Sequence, residues 1–241
     1  MGEGLAGITV LGEPGRDRGR RRRLILFALA CIALGYVFFS FGSEVAERET
    51  RTFDRAVRTW ALAHQHAALR GFLGAITWLG STYVLGPAAL VLGASLVRRG
   101  ARYRPLLLTV TPIVFWAFVS MLKRGYHIPR PLTGVLTRHS FSFPSGHAAM
   151  SMAAAVFLGY VLVREAMAPR WILVVAPLVS LVVGISRVYL DVHWASDVLG
   201  GWAIGAAYGG ACCALYALTQ WRVAKPRAGD GWPVRSGDES R

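Results

Sequence analysis

Acidic residues are scarce in this 241-residue chain: 13 Asp and Glu stand against 27 Lys and Arg, a formal net charge of +14. Charge of either sign is sparse too, at 17% of residues, while 54% are hydrophobic. A soluble basic protein scatters its charge; here the charges gather in islands between long apolar runs, which points to a membrane protein. Cysteine is equally rare. Cys31, Cys212 and Cys213 all fall inside apolar runs, without metal-ligand spacing and too few for a disulfide framework, so they read as small packing residues. No acidic cluster suited to two divalent metals is visible, no A-x-A-like site follows the first apolar run, and no convincing internal repeat is present. These gaps count against a two-metal hydrolase, a cleaved signal peptide and a repeat-built transporter.

What is present is a set of six apolar runs, each near the ~20 residues a helix needs to cross hydrocarbon. They are Leu24–Ser43, Gly71–Val97 (with the span itself from about Ser81), Pro105–Leu122, Ala148–Val163, Trp171–Ser186 and Val198–Trp221. The domain layout expected is a basic tail over residues 1–23, a six-span domain over 24–221 and a tail over 222–241, which is Gly-, Pro- and charge-rich from Lys225 and reads as disordered. Six Arg precede the first run, four lie in residues 98–104, two in 164–170, and five Lys or Arg follow Trp221. With six spans these segments share one side, which the positive-inside rule makes cytoplasmic, together with both termini. The N-terminal cluster "GRDRGRRRR" is therefore read as a membrane anchor rather than a nucleic-acid patch. The opposite side receives residues 44–70, 123–147 and 187–197. Within 44–70, Phe53, Val57, Trp60 and Ala61 recur at helical spacing among Arg51, Asp54, Arg55 and Arg58, the pattern of an amphipathic helix lying on the outer membrane surface or packed on the spans. Gly201, Gly205 and Gly209, four apart, are assigned to close helix packing within the bundle, with pairing of two copies into a homodimer as the second use.

Three polar islands on that non-cytoplasmic side carry the chemistry: "KRGYHIPRP" (123–131), "FPSGH" (143–147) and "SRVYLDVHWASD" (186–197). Ionisable residues at membrane depth are costly and usually functional. Lys123, Arg130 and Arg187 are three cations without an equal number of nearby acids, and guanidinium matches phosphate oxygens bidentately. Ser145 and Gly146 sit where a helix begins, so unpaired N–H groups, the helix dipole and a hydroxyl favour a bound phosphate there. Asp197, four residues after His193, would fix that imidazole's tautomer and leave its other nitrogen as a nucleophile. His147 would protonate the leaving oxygen. Arg124 and His127 are assigned to the loop surface, and Asp191 to the surface or a supporting position.

Lys123-x6-Arg130-Pro131, Pro144-Ser145-Gly146-His147 and Ser186-Arg187-x5-His193-x3-Asp197 together resemble the three-part signature of the type 2 phosphatidic acid phosphatase (PAP2) superfamily, matched at every position. The resemblance implies an all-α bundle of six transmembrane helices with a PAP2/haloperoxidase-like core, acting as a lipid phosphatase without a metal or other cofactor. It makes His193 the nucleophile, Asp197 its orienting partner and His147 the acid and later base. Lys123, Arg130, Ser145, Gly146, Ser186 and Arg187 would hold the phosphoryl oxygens; for Ser186 the resemblance is the sole argument. Substrates of the isoprenoid pyrophosphate, phosphatidate or phosphatidylglycerol phosphate type would be cleaved on the non-cytoplasmic side. The Arg-, Ala- and Gly-heavy composition suits a GC-rich bacterium and hence its inner membrane. A lipid phosphotransferase would use the same site; a transporter or a silent scaffold is the alternative from another class.

Overall fold

The structure, a computed structural model, describes residues 14–131 and 140–224, and among these residues there is no strand. Eight α-helices follow one another: α1 (Pro14–Ala46), α2 (Arg51–Ala63), α3 (Ala67–Ile76), α4 (Thr82–Arg98), α5 (Arg104–Tyr126), α6 (Gly146–Arg164), α7 (Ile172–Tyr189) and α8 (Ala195–Ala224), with a 3-10 turn at Thr77–Gly80. Five of them are long and apolar enough to cross a membrane, and six spans result if α3, the turn and α4 are taken as one crossing bent by 43°. The protein is an all-α integral membrane protein, as its apolar runs predict.

Three boundaries differ from expectation. The basic stretch is not separate from the first span: α1 starts at Pro14 and runs through it, as Pro suits a first helical position and Arg is a good helix former. The rest of both tails, residues 1–13 and 225–241, lies outside the described residues. Residues 44–70 form not one helix but the end of α1, then α2, then the start of α3. The chain turns at Arg48, whose φ is 68°, and again over His64 to His66. Finally, α8 begins at Ala195 and α7 runs to Tyr189, each beyond its apolar run, so Arg187 and Asp197 lie inside the helix ends.

The glycines of α8 set the helix packing. A Cβ on Gly201 would lie 2.8 Å from the Ser145 carbonyl, one on Gly209 2.8 Å from the Ala153 carbonyl, and one on Gly205 would overlap the Ala149 carbonyl. Residue numbers rise together on both partners, so α6 and α8 run parallel from a common end. Cys31 of α1 packs on Gly210, Phe115 of α5 stacks on Tyr208, and Gly184 of α7 lies on the Trp202 ring, which makes α1, α5 and α7 antiparallel to α8. The bundle therefore has two ends. One gathers residues 46–81, the described parts of the α5–α6 connection (127–131 and 140–145) and the α7–α8 connection. At the other, Arg104 Nη1 lies 3.1 Å from Glu165 Oε1, which also accepts from Tyr216 Oη at 2.8 Å.

The core has two centres. Phe38, Phe115, Val119, Leu122 and Phe143 pack beneath the first end, and Leu96, Leu108, Phe157, Val161, Cys212 and Tyr216 fill the second. Cys212 and Cys213 are buried free thiols, packing residues as expected. Because the α6–α8 contact is backbone against backbone, no side chain can give way. Gly205→Ala is expected to lower stability by about 1–3 kcal/mol, the usual cost of overpacking, as an earlier thermal unfolding midpoint in detergent. An unchanged midpoint would show that α6 and α8 are not in contact there.

Candidate active site

All three polar islands meet at the first end. They and the adjoining residues 140–142 are tied together by hydrogen bonds that use mainly backbone carbonyls of the connections. Lys123, in the last turn of α5, donates from Nζ to the carbonyls of Phe141 and Ser142, both at 3.0 Å. Arg130 donates from Nη1 to the Val192 carbonyl at 2.7 Å and from Nε to the Ser140 carbonyl at 2.9 Å. Ser145 N–H donates to the Asp197 carbonyl at 2.9 Å, and Trp194 Nε1 to the Pro129 carbonyl at 2.8 Å. Stretches more than 60 residues apart in sequence thus share one small, largely buried volume.

His193 stands in the five-residue connection between α7 and α8, only 4% exposed. Its Nδ1 lies 3.1 Å from Asp197 Oδ2. The same oxygen accepts from Trp194 N–H at 2.8 Å and from the Ser142 hydroxyl. With Asp197 third in α8, its bond back to Trp194 is one half of a capping box, so the helix start that positions the carboxylate also aims it. A carboxylate on Nδ1 places the proton on that nitrogen and leaves the lone pair on Nε2. Nε2 indeed meets a donor, Arg130 Nη1, at 3.0 Å. Burial, the nearby cations Lys123, Arg130 and Arg187, and His147 all push the His193 pKa well below the ordinary imidazole value. A lowered pKa means that the neutral ring, with its lone pair available, persists at a pH acid enough to protonate a free histidine.

Arg187 is 7% exposed and donates from Nη1 to Thr77 Oγ1 at 2.9 Å. Its carbonyl accepts from Val192 N at 3.1 Å and His193 N at 3.3 Å, so the cation and the backbone of His193 are fixed together. Thr77 belongs to the 3-10 turn that interrupts the second span. Gly80 of the same turn packs against the His147 backbone, where a Cβ would lie 3.1 Å from the carbonyl oxygen. Gly146 opens α6 with the Lys123 stem beside it, 3.9 Å from where a Cβ would be. Ser145, the N-cap of α6, makes no side-chain cap bond. Its hydroxyl is fully buried and has no hydrogen-bond partner among the described residues. Such a group is costly unless something outside the chain accepts or donates there.

The structure therefore brings together Lys123, Arg130, Ser145, Gly146, His147, Arg187, His193 and Asp197. Ser186 is close in sequence but turned away: its hydroxyl donates to the Val183 carbonyl of its own helix at 2.6 Å. To donate to a phosphate it would first have to rotate. His127 and Arg124 are exposed, as assigned, with the His127 ring against Phe141. Asp191 is buried, not at the surface. Ser142 went unrecognised in the sequence. Its hydroxyl reaches Asp197 and lies 3.3 Å from His193 Nδ1, while its carbonyl holds Lys123. A serine two residues before Pro144 carries no signal of its own; only the fold brings it to Asp197. Among the described residues no three His, Cys, Asp or Glu side chains are grouped so as to hold a metal ion.

Fold and site define an α-helical integral membrane protein with an imidazole and several cations converging at one end of the bundle. The chain belongs to the PAP2 superfamily, whose sequence model matches residues 104–221, from the first residue of α5 to the last turn of α8. It is 27% identical over 179 residues to phosphatidylglycerophosphatase B of Bacillus subtilis, covering 72% of this chain and 88% of that one. It is also 27% identical over 150 residues to an undecaprenyl-diphosphatase of Sulfolobus acidocaldarius, covering 59% and 68%. The fold resembles the crystal structure of a transmembrane PAP2-type phosphatidylglycerolphosphate phosphatase from Bacillus subtilis, with a TM-score of 0.71 and 24% identity over 82% of this chain and 98% of that one.

Proposed function

We infer that this protein is a membrane lipid phosphatase that releases phosphate from a lipid phosphate or an isoprenoid pyrophosphate, of the undecaprenyl pyrophosphate, phosphatidate or phosphatidylglycerol phosphate type. The observation that carries the reading is the buried Ser145 hydroxyl at the start of α6, without a hydrogen-bond partner among the described residues, beside the Phe141 and Ser142 carbonyls that hold Lys123 and with its own N–H on the Asp197 carbonyl. A helix N-terminus, a spare hydroxyl and converging cations suit a phosphate group and little else. The named activities of the relatives support the same class.

His193 attacks first. Nε2 forms a bond to phosphorus as the bond from phosphorus to the lipid oxygen breaks, and His147 gives its proton to that oxygen. Arg130 moves from Nε2 onto a phosphoryl oxygen, so that it, Lys123 and Arg187 surround the charge of the transition state. Asp197 holds the Nδ1 proton and balances the positive charge that the phosphorylated ring acquires. In the second half His147, now neutral, takes a proton from water; its oxygen attacks phosphorus, the bond to Nε2 breaks, and inorganic phosphate leaves with His193 restored. Lys and Arg supply the charge stabilisation, and no metal enters a step.

The site is assigned to the non-cytoplasmic side of a bacterial inner membrane. Its support is the position of the basic segments 98–104 and 164–170 at the opposite end of the bundle, with the start of α1. The glycine stripe of α8 is taken up by α6, so a homodimer would have to use another face. Purified protein in detergent is expected to release phosphate from these lipids in the presence of EDTA, with vanadate as an inhibitor. Activity lost with EDTA and regained with magnesium would refute the metal-free mechanism; no phosphate from any of the three lipids would refute the phosphatase reading.

A further inference from the structure

Helix α2 reads in sequence as a surface helix with Asp54 on its polar side. In the fold Asp54 departs from that side: Arg51, Arg55, Phe53 and Trp60 are exposed, while Asp54 is 7% exposed and points into the protein. Its carboxylate accepts from Ser196 N at 2.8 Å through Oδ1 and from Ser196 Oγ at 2.7 Å through Oδ2. Ser196 is the second residue of α8, and Trp194, which stands at the N-cap, has no side-chain oxygen to offer. Asp54 therefore does for α8 what an N-cap side chain does, from 142 residues upstream. Ser196 in turn neighbours Asp197 in the first turn of α8.

Arg58, one turn further along α2, takes a second grip. Its Nε lies 2.7 Å from Asp191 Oδ1 and its Nη2 3.0 Å from Oδ2, a bidentate pair. Asp191 has a φ of 56°, a left-handed conformation uncommon for a residue with a side chain and retained where surroundings enforce it. Arg58 also lies over the Trp194 ring at 5.8 Å. The turn after α2 holds the other end: Gln65 Nε2 donates to the Tyr189 carbonyl at 2.9 Å, and His66 N to the Tyr189 hydroxyl at 2.8 Å. The connection bearing His193 is thus held at its start, middle and finish by one segment outside the spans and outside residues 104–221.

We propose that α2 is a clamp on the nucleophile loop, with Asp54 and Arg58 as positioning residues for His193 and Asp197. They touch no substrate and act by fixing where Nε2 and the Asp197 carboxylate point. The proposal rests on the phosphatase reading. A displacement of ~1 Å caused by a remote substitution can cost about 100-fold in rate. Asp54→Ala is accordingly expected to lower kcat by about 100-fold and Arg58→Gln by about 10-fold, with KM within about threefold of wild type, because Lys123, Arg130 and Arg187 are untouched. Asp54→Asn keeps an oxygen for Ser196 N–H and is expected to recover most of the kcat.

The assay uses full-length protein in detergent, phosphate release from a lipid phosphate, and an elution profile to show each variant folded. Arg58 is partly exposed, so its variant tests the clamp even if Asp54→Ala fails to fold. Wild-type kcat in either folded variant overturns the proposal. So does a loss in Asp54→Ala that Asp54→Asn does not recover, or a rise in KM with kcat intact. A wild-type protein without activity sinks the phosphatase reading instead, whereas an active wild type with indifferent variants sinks the clamp alone.

Discussion

Phosphate release by His193→Ala is expected to fall by about 10⁶-fold, the scale of deleting a catalytic nucleophile. The substitution is a clean one. The imidazole is held by side-chain contacts alone, from Asp197 and Ser142 on Nδ1 and Arg130 on Nε2. The backbone bond from residue 193 to the Arg187 carbonyl survives its removal. Arg130 keeps Val192 and Ser140 as partners, so the cations remain and KM should change little. Single-turnover release of phosphate from a labelled lipid separates loss of chemistry from loss of binding. Turnover within tenfold of wild type would remove His193 as the attacking group.

Asp197→Asn is expected to cost on the order of 10⁴-fold in kcat, the scale known for losing the carboxylate of a histidine–carboxylate pair. Three donors, Trp194 N–H, the Ser142 hydroxyl and His193 Nδ1, converge on Oδ2, and Oδ1 is buried with no hydrogen bond among the described residues. An asparagine has two ways to sit there. With its oxygen toward the donors it buries an amide N–H₂ without a partner and has no charge to balance a phosphorylated ring. With its nitrogen toward them it sets donor against donor and moves the imidazole proton to Nε2, where the attack must occur. Both lower kcat more than they disturb binding. A variant with normal kcat and raised KM would contradict the orienting role.

The spans were readable because hydrocarbon demands long uncharged runs, and nothing else in the chain resembles one. The proposed site residues were readable because Lys123, Arg130, His147, Arg187, His193 and Asp197 are costly at membrane depth and stand at or near apolar run ends. Asp54 was not, since helical spacing places it with Arg51 and Arg55. Periodicity distinguishes two faces of a helix but cannot say that one residue of the polar face turns inward; the acceptor shortage at the start of α8, visible only in three dimensions, explains it. The hidden role of Ser142 has the same origin. The rotation of the Ser186 hydroxyl onto Val183 is a choice between rotamers that no spacing encodes, and the break of residues 44–70 into separate pieces follows from tertiary contacts of His64 to His66 with Tyr189.

The guanidinium on Nε2 has a consequence for selectivity. If Nε2 is the attacking atom, as proposed, its electron pair is already engaged by Arg130 before any substrate arrives. An uncharged ester brings nothing with which to draw that arginine away, so it meets a blunted nitrogen. A phosphorylated head group carries negative oxygens that compete for the same fork, and only by capturing it does the molecule expose the atom that will cleave it. Discrimination against the neutral esters that surround the enzyme in the bilayer would then reside in the unlocking step rather than in the shape of the cavity.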